Sequence, residues 1–301
     1  MKEHPTVVSV ASGKGGTGKT TVALGLALSA GKVQILDCDV EEPNCNLFLN
    51  LPLKKVEDVM QVVPSVDEGK CTHCGLCAKS CAYHALAVLP RNVIVFNGLC
   101  HGCGACGIVC PEGAITETKR AIGTINSGRK GGMLFAQGIL NTGEAMAVPV
   151  VKSLLRLKRQ DMDVILDSSP GAGCTVVETI RSSDVCILVT EPTPFGLHDL
   201  KIAVSVACKL GIPHGVVINR DGIGTDEVER WCRSSGIPVL MKIPYDPAIA
   251  RAYSRGRPAT SASPELAGRF AELLAKARLL AGRCVKKPGR QDKWTRCGNS
   301  Q

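Results

Sequence analysis

Two groups of residues in this 301-residue chain have the types and spacings that chemistry needs. The first reads Gly13-Lys14-Gly15-Gly16-Thr17-Gly18-Lys19-Thr20, with glycine, four residues, glycine, lysine and threonine at the fixed positions of a P-loop. Its glycines let the backbone wrap tightly and aim N–H groups inward, where they and a helix N-terminus attract phosphate oxygens. Lys19 would neutralise nucleotide phosphates, and the Thr20 hydroxyl would ligate Mg²⁺. The second group is Cys71, Cys74, Cys77 and Cys81, then Cys100, Cys103, Cys106 and Cys110, the last followed by Pro111. Thiols packed at short, repeated spacings are metal ligands rather than disulfide partners.

The cysteine spacing is that of a bacterial ferredoxin holding two [4Fe–4S] clusters. A compact turn with cysteine at every third residue places three thiolates on one cubane, and the fourth comes from elsewhere. By the two-cluster rule the fourth cysteine of each run crosses over. Cys71, Cys74, Cys77 and Cys110 are therefore assigned to one cluster, and Cys100, Cys103, Cys106 and Cys81 to the other. Cys81 precedes Ala82 where proline is usual, which touches the turn and not the ligand count. Zinc ribbons pair their cysteines across longer gaps. His73, His84 and His101 read as surface or packing residues.

The elements that must position these groups follow from periodicity. Thr6–Ala11 is a short β-branched run that suits a buried strand, and Thr20–Ser29 is rich in Ala and Leu, which suits a helix. Lys32–Asp37 reads as a second strand, closing in Asp37 and Asp39 on the edge where parallel sheets bind ligands. Asp163–Asp167 is an apolar strand that ends in aspartate before Pro170-Gly171, the form of a Walker B and switch II segment. There Asp167 would hold Mg²⁺ and Gly171 would sense the γ-phosphate. A strand near Met133–Ala136 and a helix over 144–159 come before it. Strands over 185–190, 215–219 and 239–243 alternate with helices over 197–209, 226–234 and 264–281. Such alternation predicts an α/β fold, a mainly parallel sheet covered on both faces, with a small α+β insert. The expected organisation is a first nucleotide-binding part over 1–65, a cysteine-bearing insert over 66–118 with a hairpin around Pro90-Arg91-Asn92, a second part over 119–282, and a basic tail over 283–301.

Lys14, directly after the first glycine, resembles the signature lysine of the deviant P-loop in the MinD, Mrp and nitrogenase-iron-protein ATPases. Together with Asp37–Asn44, Asp167–Cys174, Thr190-Glu191-Pro192-Thr193-Pro194 and Ile218-Asn219-Arg220, it makes the chain similar to the MinD/Mrp superfamily ATPases that carry an inserted ferredoxin domain. The resemblance implies ATP and Mg²⁺ as cofactors beside the two clusters. It also implies a homodimer in which Lys14 reaches the partner's nucleotide, and Asp39 in switch I helping to position Mg²⁺ and the attacking water. Lys14, Lys19, Asp39 and Asp167 would carry hydrolysis. Gly13, Gly15, Gly16, Thr17, Gly18, Lys19, Thr20, Thr21 and Gly171 would hold the nucleotide, with Asn219 and Arg220 by the base. The segment 243–246 would border it. Cys208 and Cys232 are not spaced like the Cys-x-x-Cys of the cluster-carrier branch, and Cys174 reads as a packing residue.

Composition narrows the remaining classes. Hydrophobic residues make up 45% and aromatics only 3%, so an ordinary globular core must be built from aliphatic side chains. The formal charge of +9 is concentrated beyond Arg283, which leaves the remainder nearly balanced and makes nucleic-acid or membrane contact through the tail an unfavoured reading. No long apolar span or signal-peptide core is present, which predicts a cytoplasmic protein. The expected function is an ATPase whose nucleotide state is coupled to electron transfer with a redox protein. The alternatives are an electron carrier or assembly factor with negligible turnover, and a positioning or scaffold ATPase.

Overall fold

The computed structural model describes residues 5–263 and 265–284. Its chain order is β1 (Val7–Ala11), α1 (Lys19–Ser29), β2 (Val33–Asp37), α2 (Cys45–Leu49), β3 (Lys54–Val66), α3 (Leu76–Ser80), β4 (Leu86–Val88), β5 (Val93–Val95), α4 (Ala105–Ile108), β6 (Ile115–Lys130) and β7 (Met133–Leu140). There follow α5 (Val148–Leu155), β8 (Asp163–Asp167), α6 (Cys174–Arg181), β9 (Val185–Thr190), α7 (Pro194–Lys209), β10 (His214–Asp221), α8 (Glu227–Ser234), β11 (Val239–Pro244), α9 (Pro247–Ser254) and α10 (Glu265–Cys284).

A nine-stranded sheet runs β11-β10-β9-β1-β8-β2-β7-β6-β3. From β11 to β7 every pairing is parallel, whereas β6 and β3 are added antiparallel. The central strands β2, β8 and β9 are buried along their whole length, which a parallel strand covered on both faces requires. Alternate residues serve opposite faces. Ile165 packs in the cluster that contains α1 and α10 residues, while Val164 and Leu166 pack with those of α5. All the parallel strands therefore end on one edge, where the P-loop, Asp37 and Asp167 emerge.

The predicted α/β core has this form, with corrections at its borders. The helix expected over 144–159 is only Val148–Leu155. Residues 141–144 form a turn closed by Glu144 N–H to Asn141 O, and Pro149 confines the helix start because proline is tolerated only in a first turn. The expected boundaries at 65/66 and 118/119 fall at the end of β3 and inside β6. These two strands form a ribbon whose pairing begins at Lys54↔Ser127 beside β7 and continues to Val66↔Ile115, so the insert grows out of the main sheet without a break. The hairpin is β4 with β5, closed around Pro90-Arg91-Asn92.

One short segment clasps the root of the ribbon. Leu140 N–H donates to Val40 O at 2.8 Å, Asn141 N–H to Ile122 O at 2.9 Å, and Glu144 forms a two-pronged ion pair with Arg120. The segment 140–144 thus touches the loop after β2 on one side and β6 on the other. Register shifts between Val59 and Met60 mark the same level of the ribbon as a bend. Among the described residues no helix is long and apolar enough to cross a membrane, and of the basic tail expected over 283–301 the part from residue 285 lies outside them.

Candidate functional site

The P-loop joins β1 to α1, and its neighbours leave no room for side chains at two of its glycines. A Cβ on Gly13 would lie 2.2 Å from the Asp199 carbonyl oxygen, and one on Gly18 would lie 2.3 Å from Asn219 Nδ2. Gly18 also sits at φ 96°, a left-handed conformation that favours glycine. Asn219 Nδ2 donates to Thr17 O at 2.8 Å, tying the end of β10 to the loop. Gly171 N–H donates to Ser12 O at 2.9 Å, so the switch II turn rests on the start of the same loop. Lys19 is buried, and Thr20 and Lys19 both stand beside Asp167 and favour its ionised form.

Three carboxylates converge there. Asp37 and Asp167 are fully buried and Asp39 partly so. Burial pushes the Asp37 and Asp167 carboxyls up, and for Asp37 the neighbouring Asp167 adds to it. Asp39 is raised to about 6 by burial and by Asp37, with Lys19 opposing. Asp37 accepts N–H bonds from Asn44 at 2.9 Å and Cys45 at 3.0 Å, so part of its role is to hold the start of α2. Asp167 Oδ2 accepts the Cys45 thiol at 3.3 Å, but its Oδ1 is buried without a partner, as are the hydroxyls of Thr17 and Ser168. Orphaned buried oxygens facing a phosphate loop are the donor set a hard divalent cation takes, so the residues present fit Mg²⁺.

The raised carboxyls have a consequence for stability. Their folded pKa values exceed the ordinary 3.8, so the stability they contribute is full below about pH 4 and is lost as pH rises through 6 and 7. Mg²⁺ favours the ionised forms and offsets that loss, each pKa unit being worth about 1.4 kcal/mol. The rise in melting temperature given by Mg²⁺ with ADP is therefore expected to be several degrees larger near pH 8 than near pH 5. Equal shifts at both would contradict this picture.

Lys14 pairs with Glu191 at 3.5 Å, and the same carboxylate takes Arg220 at 2.7 Å. Within one chain the signature lysine is thus held by its own β9–α7 loop. Glu191, like Asp37, was absent from the residues expected to carry the site; the acidic residue in Thr190-Glu191-Pro192 was the signal. Segment 243–246 places Tyr245 half-exposed beyond β11.

The eight cysteines surround two cavities. Cys71, Cys74, Cys77 and Cys110 line one, with Val66, Val88 and Ile115; Cys81, Cys100, Cys103 and Cys106 line the other, with Val63, Leu86 and Ile115. The two runs are related residue by residue at a separation of 29. His73 N–H donates to Cys71 Sγ at 3.4 Å as Gly102 N–H does to Cys100 Sγ, and Ala114 N–H to Cys110 Sγ at 3.3 Å as Ala85 N–H does to Cys81 Sγ. Gly75 and Gly104, with φ 79° and 74°, start the paired short helices α3 and α4. Four thiols around each cavity, several receiving backbone N–H, form a set that a soft iron–sulfur cluster can use. Burial raises the Cys77 and Cys106 thiols above their ordinary value, so their deprotonation would accompany metal binding. His73 hydrogen-bonds Glu68, His101 stacks on Tyr83, and Cys174 is exposed.

The chain is similar to known proteins over most of its length. Residues 8–259 match the CobQ/CobB/MinD/ParA nucleotide binding domain. The chain is 34% identical over 256 residues to an uncharacterized protein of Methanocaldococcus jannaschii, a match covering 83% of this chain and 90% of that protein. It is 25% identical over 272 residues to an iron-sulfur cluster carrier protein of Pyrococcus horikoshii, covering 83% and 78% respectively. The septum site-determining protein MinD of Pyrococcus horikoshii, complexed with Mg-ADP, superposes with a TM-score of 0.57 at 22% identity, covering 94% of this chain and 100% of that one, which shows a common fold. With most of its length matched by that domain, and a P-loop closed by Asn219 and Gly171, this chain belongs to the CobQ/CobB/MinD/ParA family of P-loop nucleotide-binding proteins.

Proposed function

We propose that this chain is an ATPase whose nucleotide state controls two resident [4Fe–4S] clusters in a ferredoxin-like insert, and through them electron transfer with a redox protein. The observation that carries this reading is continuity: the ribbon bearing both cysteine cavities is part of the nucleotide-binding sheet, and its root is clasped by the segment that hydrogen-bonds Val40, next to Asp39. Thiols in two sets of four support the clusters, and a cysteine pair bridging a dimer, as in cluster carriers, is not needed.

In this reading Lys19 and the loop N–H groups bind the β- and γ-phosphates of ATP. Thr20 and Asp167 would hold Mg²⁺, which would supply charge neutralisation to the phosphates. Asp39, half-ionised near pH 6, orients the water that attacks. Little covalent help is required, because phosphoryl transfer depends on positioning and electrostatics. Gly171 N–H and the 37–44 segment then respond to the γ-phosphate. In the homodimer Lys14 exchanges Glu191 for the nucleotide of the partner subunit, and the protein acts in the cytoplasm.

Steady-state phosphate release tests this. The cluster-loaded chain is expected to hydrolyse ATP at rates that differ several-fold between oxidised and dithionite-reduced protein. Negligible release in both states would overturn the ATPase reading in favour of a simple electron carrier.

A further inference from the structure

The two cavities are built on one repeat, yet the charges placed on that repeat differ. Glu68 lies with its carboxylate within 4.8 Å of both Cys71 Sγ and the His73 ring, and 29 residues on the same position is the neutral, exposed Asn97. Glu112, two residues after the crossing ligand Cys110, lines the first cavity; its counterpart Tyr83 lines the second and stacks on His101 with ring centroids 3.5 Å apart. The opposing feature is Glu117, which lines the second cavity where the first has Val88. Glu112 thus lines the first cavity and Glu68 lies beside its ligand Cys71, both of them exposed, against Glu117 at the second, while the nearby Lys70 is taken by Asp67 at 3.6 Å. Arg120, whose β3 partner Gln61 donates to the Cys100 carbonyl, adds a cation on the second side, largely compensated by Glu144.

Sulfur hydrogen bonding does not separate the sites, because each receives a matched pair of N–H donors at 3.3 and 3.4 Å. Net charge is the lever that remains. Adding an electron to a cluster is opposed by a nearby carboxylate, and for exposed groups such as Glu68 and Glu112 that opposition is strongest at low ionic strength.

We infer that the Cys71–Cys74–Cys77–Cys110 cluster has the lower reduction potential and the Cys81–Cys100–Cys103–Cys106 cluster the higher, an ordering that rests on the two-cluster reading above. The second cavity is also the nearer to the main sheet, since Val62, Val63 and Pro64 of the ribbon wall it, while Val66 at the ribbon tip walls the first. Electrons thus settle beside the clasped root. The step is a one-electron transfer: the first cluster, reduced by a one-electron redox-protein donor, is oxidised as the second is reduced, with no proton or leaving group involved.

An EPR-monitored potentiometric titration of the full chain tests this. Native protein is expected to show two one-electron waves. Glu68→Gln with Glu112→Gln should raise only the lower wave, by at least tenfold in its reduction equilibrium, or 59 mV. The reciprocal change, Asn97→Glu with Tyr83→Glu at two exposed positions, should lower only the upper wave by a similar factor. Two waves that neither pair moves, or that move together or in the opposite assignment, would overturn the inference alone. Native protein with no iron-dependent waves would overturn the cluster reading with it.

Discussion

Lys19→Ala is expected to weaken ATP binding by about 30-fold to several thousandfold while leaving iron content and the reduced-cluster EPR spectrum at native levels. The size follows from what the side chain does. Lys19 is 7% exposed, stands among Asp39 and Asp167, and is the buried cation of the phosphate loop. Removing one partner of a buried charge pair costs about 2–5 kcal/mol, which is that range in affinity. Loss of the lysine also leaves Asp39 and Asp167 without the cation that favours their ionised forms, so the metal-free variant should melt lower than native, most of all above pH 7. Titration of a fluorescent ATP analogue, beside iron and sulfide assays on the same sample, reads both halves. The clusters should survive because their ligands all lie on the ribbon and its loops, with none in the 13–20 loop. Loss of iron together with nucleotide binding would contradict two sites that assemble independently.

Much of the site is legible in the sequence because its chemistry allows few alternatives. The P-loop glycines, Lys19-Thr20 and the strand ending in Asp167 are held at positions where backbone and phosphate geometry dictate residue type. Cysteine at every third residue is likewise set by the reach of a turn around one cavity. The crossing of Cys110 to the first run and of Cys81 to the second is legible through the two-cluster spacing rule, and the two cavities group the cysteines in the same way.

The ribbon is a different matter. In β3 the first five residues, Lys54-Lys55-Val56-Glu57-Asp58, are all exposed, and in β6 four successive residues over 116–119 are too. With little alternation to mark a buried face, such strands look like polar loops. They are strands because Lys54 meets Ser127 and Val66 meets Ile115, pairings far apart in sequence that no local pattern reports. Asp37 was hidden for a related reason. Two aspartates lie two residues apart at the end of β2, and only the fold shows that Asp37 is sealed against α2 while Asp39 faces the loop. Glu191 shows its role only once Lys14 and Arg220, far apart in the sequence, are brought to the same carboxylate.

The second large effect is nucleotide gating of the clusters. The path is short: Val40 carries the hydrogen bond from Leu140, and Glu144, four residues on, grips Arg120 at the level where the ribbon leaves the sheet. In the proposed reading a γ-phosphate that ordered the 37–44 segment would bias this clasp, which lies against the strand beside the second cavity. Differential binding of ATP to one posture of the ribbon is all the coupling requires, at about 1–3 kcal/mol.

The most direct measurement is the EPR spectrum of the anaerobically reconstituted, reduced chain with no nucleotide, with Mg-ADP and with a non-hydrolysable Mg-ATP analogue. The signal of the cluster nearer the sheet should change in lineshape or midpoint with the triphosphate and return with ADP. Spectra that overlay in all three states, in protein shown to bind each nucleotide, would contradict the coupling.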